Sequence, residues 1–80
     1  MVSEKLKRII LDELKLDNFE MRDETTATDV PGWDSLKHLN IILNIESNYK
    51  IKFKGLEMMR VQNVGDLQKL IDSKLNWFLY

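Results

Sequence analysis

Cysteine is absent from this 80-residue sequence, and there is only one histidine. Without thiols the chain can form no disulfide, no thiolate nucleophile and no cysteine-bound metal centre, and one histidine cannot build a two-histidine metal site. Proline occurs once and glycine three times, and no stretch is repeated or low in complexity. These absences disfavour a redox or structural-metal role and predict a single domain, residues 1–80, without internal linkers.

The chain also lacks an excess of charge of either sign and lacks long apolar runs. It has 12 Lys plus Arg against 13 Asp plus Glu, a formal net charge of −1, which gives no general attraction to nucleic acid or to an anionic membrane. No run approaches the ~18 apolar residues of a membrane span, and charges stand where a signal peptide has its apolar stretch. We therefore expect a cytoplasmic protein with neither nucleic acid nor membrane as a partner.

The balanced total conceals an uneven distribution of charge. Residues 1–36 hold nine acidic and five basic side chains, a net of −4, whereas residues 37–80 hold four acidic and seven basic ones, a net of +3. Asymmetry of this kind bears on the choice of partners.

The small size of the chain argues against an enclosed active site, because a chain of this length buries only about 60% of its unfolded surface and has little material for an enclosed catalytic cleft.

Apolar residues recur with helical spacing in three segments. The segments are about 3–15, with Ser3 as N-cap; about 34–47, with apolar residues at 36, 39, 42, 43 and 45 and Asp34 or Ser35 as N-cap; and about 63–75, with Asn63 as N-cap. Residues 55–61 are long enough for one or two turns and predict a short helix or an ordered loop. The fold class is therefore all-α, a small four-helix bundle with three main helices and a short third one.

Two segments do not follow helical spacing. Residues 17–34 form a long connection between the first two helices, and loops of this length are functional or are held by apolar anchors, here Phe19, Met21, Ala27 and Val30. Residues 49–54 alternate apolar and basic side chains, the pattern of a half-buried strand. Because the sequence offers no second strand to pair with it, we expect extended chain there.

The most informative stretch is Pro31-Gly32-Trp33-Asp34-Ser35-Leu36-Lys37-His38-Leu39, where a turn runs directly into an amphipathic helix. The simplest interpretation is that Asp34 or Ser35 caps the helix. A nucleophilic role for Ser35 with His38, three residues later, is a second interpretation. It needs an orienting group and an oxyanion hole, which an exposed first turn does not supply, so we expect His38 at the surface or facing a partner.

The wider pattern resembles the acyl carrier protein family over nearly the whole chain. The residues that carry the resemblance are Gly32-Trp33-Asp34-Ser35-Leu36, then Leu39, Ile42, Leu43, Ile45-Glu46 and Tyr49, and later Val64-Gly65-Asp66-Leu67 and Leu70-Ile71. The resemblance implies that Ser35 carries a 4′-phosphopantetheine arm, attached from coenzyme A by a phosphopantetheinyl transferase. The arm would hold acyl groups as thioesters, and the chain would be no enzyme. A phosphodiester at Ser35 would also lie at the positive end of the helix dipole.

The resemblance further implies contacts with partners and with cargo. Asp34 is associated with the transferase encounter and Leu36 with partner enzymes, and by position an acyl pocket would be lined by Leu39, Leu43, Met58, Met59 and Val61. The chain departs from the family on the second helix, where Lys37 and His38 replace acidic residues and Glu46 is the main acid left. Lys50, Lys52, Lys54 and Arg60 extend this positive surface. Because electrostatic complementarity governs encounter and partner choice, we expect acyl-loading and acyl-transfer enzymes with acidic or apolar docking surfaces.

The sequence therefore predicts a monomeric, free-standing acyl carrier of a specialised lipid, polyketide or related biosynthetic pathway. Two alternatives remain open at this point. One is an aminoacyl or peptidyl carrier, and the other is a helical interaction module in which Ser35 is only a cap. The C-terminal Trp77-Phe78-Leu79-Tyr80 is expected to continue the last helix and to pack on the body of the domain.

Overall fold

The computed structural model describes residues 1–76, and this part of the chain contains four α-helices and no strand. The helices are α1, Glu4–Leu14; α2, Ser35–Tyr49; α3, Gly55–Met59; and α4, Val64–Asn76, with a 3-10 turn at Ala27–Asp29. The predicted all-α class, with three main helices and a short third one, is confirmed. None of these helices is long and apolar enough to cross a membrane. The prediction for Trp77-Phe78-Leu79-Tyr80 lies outside the described residues.

Side-chain caps set the beginnings of the three long helices. Ser3 Oγ accepts a hydrogen bond from Leu6 N at 3.2 Å, Asp34 Oδ1 from Lys37 N at 2.8 Å, and Asn63 Oδ1 from Asp66 N at 2.7 Å. Helices α1 and α2 end where Lys15 and Lys50 adopt left-handed backbone conformations. Helix α2 runs two residues beyond its predicted end at Ser47. Its last residue, Tyr49, makes a cation–π contact with Lys5, whose Nζ lies 4.3 Å from the centre of the Tyr49 ring.

The core uses only part of the wide apolar stripe that the spacing predicted on α2. Ile41 and Ile45, four residues apart, are fully buried, whereas Leu36, Leu39 and Leu43 are 66%, 54% and 52% exposed. Leu36, expected to contact partner enzymes, and Leu39 and Leu43, expected to line a pocket, therefore all lie on the outside of the helix. Helix α2 has more apolar residues than one face can bury, so spacing alone does not decide which face turns inward.

The long loop between α1 and α2 is held by side chains that reach the core. Met21 and Val30 are buried and Phe19 packs against the core, while Ala27 is half-buried. Thr25 is also buried, and its Oγ1 accepts a hydrogen bond from Arg22 N at 2.9 Å. The loop thus has the apolar anchors expected of it, reinforced by one internal polar contact.

This loop also closes the beginning of α4. The N–H of Val64 donates to the carbonyl of Thr25, and the N–H of Gly65 donates to the carbonyl of Asp23, both at 2.8 Å. The first N–H groups of a helix have no partner within the helix, so the loop supplies acceptors for two of them. The N-terminal residues contact the same helix, because Ser3 N donates to the buried Gln68 side chain at 2.9 Å.

The connection from α2 to α3, residues 51–54, has neither helix nor strand, as predicted, but the prediction is wrong at Tyr49, which ends α2, and at Lys50, its left-handed C-cap. Ile51 is buried and Phe53 half-buried, while Lys52 and Lys54 point to solvent, so the side chains alternate. Helix α3 is then fixed by Glu57, whose Oε1 accepts from Lys54 N at 2.8 Å and pairs with Lys74 Nζ at 2.9 Å. The ion pair joins α3 to α4.

We expect Gly65→Ala to destabilise the protein by about 1–3 kcal/mol, the usual cost of forcing extra atoms into a packed site. A Cβ at residue 65 would lie 2.8 Å from both the carbonyl oxygen and the Cβ of Asp23. Gly55→Ala is the matched control, since a Cβ there meets no atom within 4 Å. Urea denaturation measures both variants, and equal stabilities would contradict the close approach.

We expect the contribution of Glu57 to stability to be lost in acid. The hydrogen bond from Lys74, followed by that from the Lys54 backbone, lowers the pKa of Glu57 below its ordinary value of 4.5. A lowered carboxyl pKa stabilises the folded state fully above the unfolded pKa, and this stabilisation is lost as the pH falls through the folded pKa. Denaturation across acid pH should show the advantage of the wild type over Glu57→Gln shrinking, and a pH-independent difference would contradict the assignment.

Candidate functional site

The site begins with a tight turn immediately before α2. Gly32 has a φ of +80°, and Trp33 N donates to the carbonyl of Val30 at 3.3 Å. Proline in the second position and a left-handed glycine in the third are the requirements of a type II turn, and Pro31-Gly32 meets both. The turn directs the chain out of the core at the buried Val30 and into the first turn of α2.

Asp34 and Ser35 have different roles at the start of α2. Asp34 is the N-cap, and its carboxylate accepts from Lys37 N while its carbonyl accepts from His38 N, both at 2.8 Å. Ser35 is the first helical residue, is exposed, and its hydroxyl makes no hydrogen bond within the part of the chain that the structure describes. The hydroxyl is therefore open to solvent at the positive end of a 15-residue helix.

Trp33 and His38 form a pair beside this serine. Trp33 Nε1 donates to His38 Nδ1 at 3.1 Å, and the two rings stack with centroids 6.0 Å apart and an interplanar angle of 28°. An accepting Nδ1 requires the neutral imidazole with its proton on Nε2. His38 is half-buried and engaged with Trp33, so it is less exposed than expected, and the Ser35–His38 arrangement of a nucleophilic site is not formed.

A groove and a narrow crevice meet at this pair. The open groove, about 380 Å³, is lined by Ala27, Trp33, Asp34, Ser35 and His38. The crevice, about 80 Å³, runs from the same Trp33 and His38 to Val61, Gln62, Asn63, Val64 and Leu67. Since one water occupies about 30 Å³ in the liquid, the crevice has room for only a few atoms of a ligand.

Of the five residues predicted to line an acyl pocket, Val61 alone borders this crevice. Met58 and Val61 are half-buried and pack against the core. Leu39, Leu43 and Met59 are exposed, Met59 by 79%. The structure therefore does not gather the five around one enclosed space.

The predicted docking residues of α2 are mostly engaged within the molecule. Lys37 Nζ lies 3.9 Å from Glu13 of α1, which also accepts hydrogen bonds from Asn40 and Asn44 at 3.3 and 2.8 Å. Glu46 Oε2 accepts from Phe53 N at 2.9 Å. The outer surface of α2 includes three exposed leucines, Leu36, Leu39 and Leu43, which we call the leucine stripe. The sequence analysis expected Leu36 to contact partner enzymes and Leu39 and Leu43 to line an acyl pocket, and their spacing of three and four residues is the signal of a common face.

The described chain is thus a small helical bundle that holds Ser35 exposed at the start of its second helix. No family model matches the chain. It is 37% identical to the acyl carrier protein of Clostridium acetobutylicum over 73 residues, which are 91% of this chain and 95% of that protein. It is 30% identical to the acyl carrier protein of Thermotoga maritima, covering 89% of this chain and 88% of the other.

A solved structure agrees with these relatives. The solution NMR structure of the holo acyl carrier protein from Geobacter metallireducens superposes with a TM-score of 0.89 at 41% identity, covering 95% of this chain and 87% of that one. The chain belongs to the acyl carrier protein family. It is accordingly a carrier and no enzyme, and its prosthetic group is 4′-phosphopantetheine on a serine. The alternative of an interaction module without a carrier function is set aside.

The division between Asp34 and Ser35 predicts different costs for their removal. Asp34→Ala should lower the free energy of unfolding by about 0.5–2 kcal/mol, because it removes the N-cap. Ser35→Ala should cost little, since this hydroxyl caps nothing. Asp34→Asn retains a capping oxygen and serves as the control. Urea denaturation of the three variants checks the assignment, and a Ser35→Ala cost as large as that of Asp34→Ala would refute it.

Proposed function

We propose that Ser35 is the serine that carries the 4′-phosphopantetheine arm, and that the chain delivers acyl groups on this arm to partner enzymes. The observation that carries the proposal is the free, exposed hydroxyl of Ser35 at the first position of α2. Ser47 and Ser73 are exposed too, but Ser47 lies within α2 and the Ser73 hydroxyl donates to the carbonyl of Leu70 at 2.8 Å. Ser35 alone of these three stands at the start of a helix.

The surroundings of Ser35 suit a phosphodiester. The dipole of α2 and the first N–H groups of the helix favour an anion near this residue, while the turn at Gly32 and the cap at Asp34 hold the helix end in place. When bound, the arm supplies the thiol that the chain lacks, and this thiol holds the acyl group as a thioester. The chain's own residues position the attachment point and leave it accessible to the transferase.

We propose a specialised lipid, polyketide or related pathway, with partners whose docking surfaces are apolar or acidic. Support comes from α2, where the leucine stripe is exposed and Lys37 is already paired with Glu13. The second part of the chain also carries the net charge of +3 described above. The cytoplasmic location and the monomeric state stay predictions of the sequence.

Arm attachment is tested by incubating the protein with coenzyme A and a broad-range phosphopantetheinyl transferase and weighing it intact. We expect the wild type to gain the mass of one arm, and Ser35→Ala to gain none, because the nucleophilic hydroxyl is missing. Ser47→Ala is the matched control, an exposed serine on the same helix, and should load as the wild type does. Loading of Ser35→Ala, or an unmodified but folded wild type, would refute the proposal.

A further inference from the structure

Three lysines extend into solvent at the end of α2 that is remote from Ser35. Lys50 ends the helix in the left-handed conformation, and Lys52 and Lys54 alternate with the core-facing Ile51 and Phe53. All three are exposed, and none forms an ion pair with any described residue. Their charges are therefore available to a partner.

Two carboxylates fix the backbone from which these lysines extend. Glu46 accepts from Phe53 N at 2.9 Å, and Glu57 accepts from Lys54 N at 2.8 Å and pairs with Lys74 at 2.9 Å. Both acids are thus used inside the molecule. The two hydrogen bonds restrain the backbone of the segment, so binding has to order the lysine side chains but not the chain that carries them, and preorganisation of this kind favours affinity.

The lysines border an open groove of about 650 Å³. Its lining combines four lysines, two glutamates and an apolar and a hydroxyl side chain: Lys50, Lys52, Lys54, Lys74, Glu46, Glu57, Ile51 and Ser73. Because Lys74 and Glu57 neutralise each other, the unmatched charge in the groove is positive. Such a groove suits a ligand that carries several carboxylates.

The leucine stripe leads from Ser35 toward this groove. Leu36, Leu39 and Leu43 are spaced by three and four residues, and Glu46, which follows Leu43 by three within α2, lies on the same face and lines the groove. At 1.5 Å per residue the 15 residues of α2 span about 22 Å. A standard interface of about 800 Å² per partner is wide enough to cover both the serine and the groove.

We propose that this groove, which we call the lysine groove, binds an acidic segment of the enzymes that receive the arm. The inference rests on the proposed function, since such an enzyme must lie over Ser35 and therefore over the stripe that follows it. The partner then packs apolar side chains on the leucine stripe and places carboxylates among Lys50, Lys52 and Lys54. A protein segment is favoured over a lipid surface because the net charge of −1 gives the chain no general attraction to an anionic bilayer.

The test uses the arm-loaded protein, verified by intact mass, and a fluorescein-labelled peptide of Glu-Glu-Leu repeats. Fluorescence anisotropy should show salt-sensitive binding, and amide NMR shifts should concentrate at residues 50–54 and 73–74. We expect the triple variant Lys50→Gln, Lys52→Gln, Lys54→Gln to weaken binding about tenfold, the sum of three exposed ion pairs. The triple variant Arg8→Gln, Lys15→Gln, Lys69→Gln removes the same charge from exposed sites elsewhere and should bind as the wild type does.

Three outcomes would overturn the proposal: equal weakening by both triple variants, no binding of the peptide, or equal binding of a control peptide with serine in place of glutamate. Capture by mixed phosphatidylcholine–phosphatidylglycerol vesicles, lost in the Lys50/Lys52/Lys54 variant and accompanied by no peptide binding, would assign the groove to lipid instead. A protein that takes up no arm contradicts the proposed function itself. An arm-loaded protein that does not bind the peptide contradicts only the proposal for the lysine groove.

Discussion

The close approach of the long loop to the first turn of α4 is the contact on which the rest of the fold depends. Two backbone hydrogen bonds of 2.8 Å join residues 23 and 25 to residues 64 and 65, and the approach leaves no space for a side chain at Gly65. Because the loop is tied at its middle, its second half reaches the core at Val30 in a defined position. The position of Val30 in turn fixes the turn at Pro31-Gly32 and the start of α2.

Helix α2 shows how one element serves both the core and the surface. Ile41 and Ile45 anchor it inside, Glu13 holds its polar side chains against α1, and the leucine stripe is left to solvent. Exposed apolar side chains in a monomer commonly mark a surface that another molecule covers. Part of the outward surface of α2 is therefore apolar, since Glu13 of α1 binds three of its polar side chains and three leucines face solvent.

Much of the architecture follows from local sequence, and the exceptions have a common physical cause. Ser3, Asp34 and Asn63 mark helix beginnings because each can accept a hydrogen bond from the next turn, and the alternation from Ile51 to Lys54 marks extended chain. What local pattern does not determine is which of several apolar faces turns inward, because packing against distant residues decides it. The hydrogen bond between Trp33 and His38 and the ion pair between Lys37 and Glu13 could not be predicted from local pattern either. At the candidate site, the sequence motif is enough to single out Ser35 and its neighbours. The contacts that surround them depend on tertiary structure and could not be predicted from the motif.

The narrowness of the crevice beside Trp33 has a consequence for the direction of transfer. On the proposed assignment of the arm to Ser35, a crevice of about 80 Å³ would take only a small part of an acyl chain, and the remainder would stay in water. Each methylene left in water forgoes about 0.8 kcal/mol of favourable burial, which an apolar channel in a receiving enzyme recovers. With a crevice of this size, release into an apolar channel of the enzyme would become more favourable with every carbon the cargo gains.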